Sequence, residues 1–201
     1  MAEITILLVA MLAGTPLPLI PIQLLVLNLL TDGLPALALG VEKGDPDLMD
    51  QPPRPVKEPI INREMVIGIA VQTVAISVAV LAAFAIGMKT GEAHGRTMAF
   101  ATLSISELLR AYTSRSERYS LLAIGIFTNR WMQWAVLSSL VVLMVIIYLP
   151  LLEPIFGTTL LTMQDWLVML PLILVPSVAA ELNKWVLRKL SEQRQRARGL
   201  A

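Results

Sequence analysis

The 201-residue sequence has no cysteine, only one histidine and few charged residues. The absence of cysteine excludes disulfides and every thiolate metal site. The single histidine leaves no histidine cluster of the kind that binds zinc or copper. Charged residues make up 15% of the chain, against about 25% in a typical soluble domain. This shortage of charge argues against an ordinary soluble domain.

Long apolar runs separated by short charged clusters dominate the sequence. Hydrophobic residues make up 56% of the chain, and the mean hydropathy is +0.70. A spanning helix needs about 20 mostly apolar residues. The sequence therefore predicts an all-α protein, a polytopic transmembrane helical bundle that forms one domain over residues 1–201. We place a partial first helix and five full spans at residues 2–13, 19–40, 65–88, 97–112, 131–152 and 166–187.

Lysine and arginine are distributed unevenly between the two sides that this helix order defines. The segments 41–64, 110–130 and 184–201 hold 14 of the 16 basic residues, and the alternate segments hold only Lys89 and Arg96. The positive-inside rule places the basic segments in the cytosol. We therefore expect an integral, multi-pass membrane protein with a cytosolic C-terminus.

The one substantial hydrophilic segment is the loop 41–64, which this topology makes cytosolic. Five prolines fall between Val41 and Arg63, so we expect a stiff loop rather than a disordered one. A stiff loop is suited to docking. The basic tail 188–198 is typical of an anchor at lipid headgroups. Because the basic residues lie at the ends of apolar runs, the sequence favours the lipid bilayer as a partner and not nucleic acid.

Asp32 is the most informative ionisable residue, because acids within a membrane are costly and usually functional. Asn28, Thr31 and Asp32 have the spacing of one helix face. Pro35 cannot donate a hydrogen bond to the carbonyl of Thr31, so we expect a broken helix here. Transporters build cation sites at such breaks. A proline kink with polar packing explains Asn28 and Thr31 but leaves Asp32 unpaired, so the sequence favours an ion site.

Two further acids, Glu107 and Glu3, fall within apolar runs. Glu107 is either an ion ligand or the partner of Arg110, three residues on. Glu3 lies so near the chain end that solvation is an alternative to a ligand role. Two other ionisable residues are not predicted to be ion ligands. We interpret Glu181 as the i, i+3 partner of Lys184. We interpret His94 as a solvated residue of an outer loop.

The candidate ligands are all hard oxygen donors, from carboxylates, an amide, a hydroxyl and a carbonyl. No thiol exists, and no histidine lies within a predicted span. Such oxygen sites suit Ca2+, Mg2+ or alkali ions rather than zinc or copper. The residues alone therefore predict a cation site without selecting the cation.

The segment from Ile20 to Pro35, IPIQLLVLNLLTDGLP, resembles the sixth transmembrane helix of P-type Ca2+-transporting ATPases of the sarco/endoplasmic-reticulum type, which have many bacterial relatives. The runs DLMDQPPR at 47–54 and KEPI at 57–60 look like the cytosolic loop after that helix. The Thr97-Met98-Ala99 segment, ten residues before Glu107, is similar to the eighth helix. The resemblance covers the chain from the end of the fifth helix through the tenth.

This resemblance implies a function, a set of site residues and a set of partners. It implies the ion-binding membrane half of an ATP-driven Ca2+ pump, a translocase, in the plasma (inner) membrane if the source is bacterial. Loop 41–64 would connect to the first half of the pump, with its helices 1–5 and cytosolic headpiece. The implied metal ligands are Glu3, Asn28, Thr31, Asp32 and Glu107.

The 201 residues contain no Asp-Lys-Thr-Gly-Thr phosphorylation motif and no nucleotide or actuator domain. ATP and Mg2+ would therefore act only through other domains, and we do not expect the chain alone to be an active enzyme. The alternatives are the membrane domain of a Mg2+ or monovalent-cation P-type ATPase and a structural or assembly membrane protein without transport.

Overall fold

The computed structural model describes residues 1–44, 63–116 and 121–199, and within them it is helical without strands. Most of the loop 41–64, with its expected docking role, therefore lies outside the described residues, as do the side chains of nearly all of the tail 188–198. The helices are α1 (Ala2–Leu12), α2 (Pro21–Val26), a π-helix (Leu27–Gly33), α3 (Leu34–Gly40), α4 (Arg63–Gly87), α5 (Glu92–Thr113), α6 (Leu121–Ile124), α7 (Arg130–Tyr148), α8 (Glu153–Phe156) and α9 (Met163–Gly199).

Four of the described helical segments are long and apolar enough to cross a membrane, and α1 is a shorter apolar helix. Many large apolar side chains on these helices face outward, as Val74 and Val78 do on α4. Such an apolar exterior suits hydrocarbon, where every backbone polar group must be paired within a helix. The predicted class, an all-α membrane bundle, is confirmed. The four segments are 21–40, 65–87, 130–148 and 163–186.

Helix α5, which contains the predicted span at 97–112, is not among these four apolar segments. The reason is its central position: α5 packs against α4, α9, the π-helix and α7, and 14 of its 22 residues are buried. Its small and polar side chains, such as Thr102 and Ser104, face other helices. A helix shielded in this way does not need the apolar surface of one that faces lipid.

The close approach of α4 and α5 depends on two glycines. A Cβ atom built on Gly87 would lie 2.7 Å from the Cα of Gly95, and one built on Gly95 would lie 3.0 Å from the carbonyl oxygen of Phe84. Small residues allow helix backbones to meet at this distance in membranes. The contact fixes α5, and with it Glu107, against the rest of the bundle.

Candidate ion site

The helix that carries Asn28, Thr31 and Asp32 is continuous from Pro21 to Gly40, with the π-helix at its centre. The prediction of a broken helix is therefore wrong, since the backbone remains helical at both ends of the π segment. The wider π turn instead accommodates the stretch just before Pro35, a residue that has no N–H to donate. Such π segments occur frequently at functional sites. The sequence located the irregularity correctly but not its form.

Thr31 and Glu107 form the one contact between predicted ligands of the π-helix and α5. The Oγ1 atom of Thr31 lies 3.2 Å from Oε2 of Glu107, and both residues are buried. The same hydroxyl lies 2.7 Å from the carbonyl oxygen of Leu27. Because a hydroxyl has only one proton to donate, it cannot fully satisfy both oxygens. The pair therefore retains oxygen lone pairs in a buried position.

Asn28 and Glu3 form a second contact, between the π-helix and α1. The Nδ2 atom of Asn28 donates to Oε2 of Glu3 over 3.4 Å and to the carbonyl oxygen of Leu24 over 2.9 Å. The other carboxylate oxygen of Glu3, Oε1, is buried and has no hydrogen-bond partner within the described part of the chain. A buried polar atom without a partner is costly and calls for an explanation. Glu3 is thus not simply solvated at the chain end.

Asp32 pairs with Arg110, which corrects the expectation that it has no partner. Their side chains approach to 3.7 Å, and each is 42% exposed. An ion pair this long and this exposed contributes little to the stability of the fold. Among the residues described, the ion pair of Arg110 is with Asp32, and none joins Arg110 to Glu107.

Ser139 of α7 supports the π-helix in a way that the sequence did not indicate. Its hydroxyl donates to the carbonyl oxygen of Leu30 over 2.7 Å, and the residue is buried. The available signal was a pair of serines, Ser138 and Ser139, within an apolar run. The hydrogen bond connects α7 to the helix of the predicted ligands.

The structure groups the predicted ligands in pairs rather than in one cluster. Within the described ranges, no three histidine, cysteine or acidic side chains come close enough together to hold a metal ion. Ca2+ takes six to eight oxygen ligands. The carboxylates, amide and hydroxyl are the right kind of donor for a hard cation, but in this arrangement they supply only part of its coordination.

His94 and Lys184 lie outside this candidate site and test two other expectations. His94 belongs to α5 and is largely buried, with Nε2 3.1 Å from Oδ1 of Asp165 and Nδ1 3.4 Å from Oγ1 of Thr159. The expectation of a solvated histidine is therefore wrong, because α5 begins earlier than expected and α9 covers the ring. The Glu181–Lys184 pair is confirmed at 3.3 Å.

Comparison with known proteins gives a consistent result over nearly the whole chain. Residues 16–186 match the family described as "Cation transporting ATPase, C-terminus". The chain is 39% identical to a calcium-transporting ATPase of Bacillus subtilis (strain 168) over 87% of its length and 20% of the relative's. It is 38% identical to calcium-transporting ATPase 1 of Bacillus cereus (strain ATCC 10987 / NRS 248), over 90% of this chain and 22% of that one. Calcium-transporting ATPase type 2C member 1 of Homo sapiens is 33% identical, over 93% of this chain and 21% of the human protein. The chain thus spans about a fifth of the length of these relatives.

Proposed function

Since this chain belongs to the family of cation-transporting ATPase C-terminal domains, we propose that it is the ion-binding membrane half of an ATP-driven Ca2+ pump. The observation that carries the proposal is the buried contact of 3.2 Å between the Thr31 hydroxyl and the Glu107 carboxylate. It joins two helices by oxygen atoms at a buried position within the bundle, where polar groups are costly. The names of the relatives support Ca2+ over Mg2+ or a monovalent cation as the transported ion.

Each predicted ligand has a role in this proposal. Glu3, Thr31 and Glu107 would bind one Ca2+ ion, Asp32 would bridge to a second ion, and Asn28 would serve that second ion. Two contacts of the structure must then change when ions bind. Asp32 must leave Arg110, which a long and half-exposed pair permits. The unpartnered oxygen of Glu3 would gain the cation as its partner.

ATP and Mg2+ would act through the parts of the relatives that this chain does not cover. Phosphorylation there would tilt the membrane helices, change the ion coordination and release Ca2+ on the outer side. Loop 41–64 would connect this domain to the headpiece. Helix α3 leads directly into that loop, since it ends at Gly40.

The chain alone is expected to bind Ca2+ weakly or not at all. Ca2+ requires six to eight oxygens around one ion, whereas the described helices do not bring three acidic side chains together. Titration calorimetry of the purified chain in detergent, with the full-length pump in the same detergent as the control, measures this directly. We expect micromolar binding only for the full-length protein. Stoichiometric micromolar binding by the chain alone would show that these helices already form a complete site.

We also propose a cytosolic C-terminus for this integral, multi-pass membrane protein, in the plasma (inner) membrane if the source is bacterial. The support is the concentration of 14 of 16 basic residues in three alternate segments. Because the chain has no native cysteine, single cysteines can report the side. An impermeant thiol reagent added outside is expected to label Glu92→Cys but not Lys57→Cys or Gln193→Cys. The reverse labelling pattern would contradict this topology.

A further inference from the structure

Arg115, just beyond the end of α5, forms a partly buried bidentate ion pair with Glu42, just beyond the end of α3. Its Nε donates to Oε2 of Glu42 over 2.9 Å, and its Nη2 donates to Oε1 over 2.8 Å. The Arg115 side chain is 0% exposed and that of Glu42 is 12% exposed. The parallel geometry makes this pair more directional than a single contact. It joins two chain segments 73 residues apart in sequence.

The remaining donors of Arg115 bind the segment 125–128, which lies just before α7. Its Nη1 donates to the carbonyl oxygen of Gly125 over 2.8 Å and approaches that of Ile126 at 3.3 Å, and its Nη2 donates to Oγ1 of Thr128 over 2.6 Å. A guanidinium has five N–H donors in a rigid fork. With the two bonds to Glu42, all five have acceptors, so the side chain is held in one orientation.

Asn129 connects the same carboxylate to the start of α7. Its Nδ2 donates to Oε2 of Glu42 over 2.7 Å and to the carbonyl oxygen of Ala38 over 3.0 Å, while its Oδ1 accepts from the backbone N–H of Met132 over 3.1 Å. Asn129 thus caps α7 and holds the last turn of α3 at once. The ends of three helices, α3, α5 and α7, meet at one ionic cluster, which we call the Arg115 clamp (Glu42, Arg115 and Asn129).

Two of these helix ends lead to the ion ligands. Helix α3 continues the π-helix that carries Thr31, and α5 carries Glu107 eight positions before Arg115. We propose that Arg115 is a positioning residue of the ion site, which holds α3 against α5 and α7 so that Thr31 stays in contact with Glu107. This inference rests on the proposed function. It adds a residue that contacts no ion but determines how well the ligands are placed.

The character of the pair supports positioning rather than stability alone. The free-energy cost of withdrawing charges from water offsets much of their attraction, so this partly buried ion pair is a weak source of net stability. Its bidentate geometry nevertheless fixes the relative positions of the two side chains. Hydrogen bonds from Arg115 hold the pKa of Glu42 below its ordinary value. Because the folded-state pKa is lowered, the clamp is intact at neutral pH and weakens as the pH falls through that lowered pKa.

The first test measures the helix arrangement without reference to Ca2+. Nitroxide labels on Leu37→Cys of α3 and Leu137→Cys of α7, both exposed positions, report the distance between these helices in the full-length pump. We expect a narrow distance distribution in the parent protein and a broad one in Arg115→Met. The control is Arg96→Met at the opposite end of α5, where Arg96 pairs with Glu92, and it should leave the distribution unchanged. A distribution unaffected by Arg115→Met would overturn the proposal.

The second test measures the ion site through Ca2+-dependent phosphorylation by ATP. We expect Arg115→Met to raise the half-saturating Ca2+ concentration on the order of tenfold, the effect typical of a residue that orients ligands. The maximal phosphorylation at saturating Ca2+ should be retained. Arg115→Lys keeps the charge but cannot pair in bidentate fashion. Its half-saturating Ca2+ concentration should lie between those of the parent and Arg115→Met. Glu42→Gln is the milder variant to use if Arg115→Met does not fold. It should also raise the half-saturating Ca2+ concentration.

The two tests separate the possible failures. A broadened distance with an unchanged half-saturating Ca2+ concentration would mean that Arg115 serves the fold only, and would refute its role at the site. A lowered maximal phosphorylation with an unchanged half-saturating Ca2+ concentration would also refute the role of Arg115 at the site. If the parent pump shows no Ca2+ response at all, the proposed function fails, while the label distances still decide whether Arg115 fixes the helices.

Discussion

Asparagine in place of Asp32 is expected to abolish Ca2+-dependent phosphorylation of the full-length pump by ATP. Asp32 would bind both ions, so its replacement removes a negative charge from two sites at once. Asparagine keeps the size of the side chain and one oxygen, but Ca2+ affinity varies over several orders of magnitude with the charge of the ligands. Phosphoenzyme formed from labelled ATP, measured over a wide range of Ca2+ concentrations, gives the result.

The matched control for Asp32→Asn is Arg110→Gln, which removes the partner of Asp32 at 3.7 Å but leaves its carboxylate. This variant should keep Ca2+-dependent phosphorylation, because Asp32 is then free to bind the ion. A normal Ca2+ response in Asp32→Asn, together with a defect in Arg110→Gln, would show that the residue serves the ion pair and not the ion.

Glutamine in place of Glu107 is expected to raise the half-saturating Ca2+ concentration on the order of 100-fold, since the buried carboxylate that we propose as a ligand would lose its charge. Glu107 would serve the first ion only, so the defect should be one of affinity and not a complete loss. Thr31→Val, which removes the hydroxyl 3.2 Å from Glu107 at similar volume, should weaken Ca2+ binding less. Ca2+ titration of phosphorylation distinguishes these cases.

The matched control for Glu107→Gln is Glu92→Gln on the same helix, where the acid is exposed and paired with Arg96. It should leave the Ca2+ response unchanged. An unchanged response in Glu107→Gln itself would contradict the ligand role and reduce Glu107 to a buried partner of Thr31.

The all-helical fold was predictable because lipid imposes a simple requirement on sequence. A segment that faces hydrocarbon must be apolar over its whole length and must pair its own backbone, and α4 illustrates such a run. Helix α5 does not follow that rule, because other helices surround it. Its polar residues carry little hydropathy signal, and its start at Glu92 was not apparent.

The candidate ligands were predictable by residue type but not by geometry. Acids in apolar runs are rare and usually functional, which is why the sequence predicts Asp32 and Glu107 as ligands. Their actual partners depend on tertiary packing: Arg110 lies three positions from Glu107 in sequence but pairs with Asp32 of another helix. The π turn was also hidden, since a proline after a polar stretch is compatible with a break, a kink or a wider turn.

The Arg115 clamp and the burial of His94 had no signal in the sequence. Arg115 belongs to a short polar segment between apolar runs, where a solvated charge is the ordinary expectation. Its partner Glu42 is 73 residues away. Asp165, the partner of His94, is 71 residues away. Nothing local to a helix end specifies which distant chain segment will cover it, so only the structure reveals such pairs.

Equilibrium binding of radioactive Ca2+ to the full-length pump, without ATP, tests most directly whether these side chains are ion ligands. We expect saturable, micromolar binding by the parent protein and its loss in the double variant Asp32→Asn/Glu107→Gln. The control is the double variant Arg110→Gln/Glu92→Gln, which also carries two substitutions, one beside the site and one away from it. It should bind Ca2+ as the parent does. Retention of the full number of bound ions by Asp32→Asn/Glu107→Gln would contradict the assignment of the site.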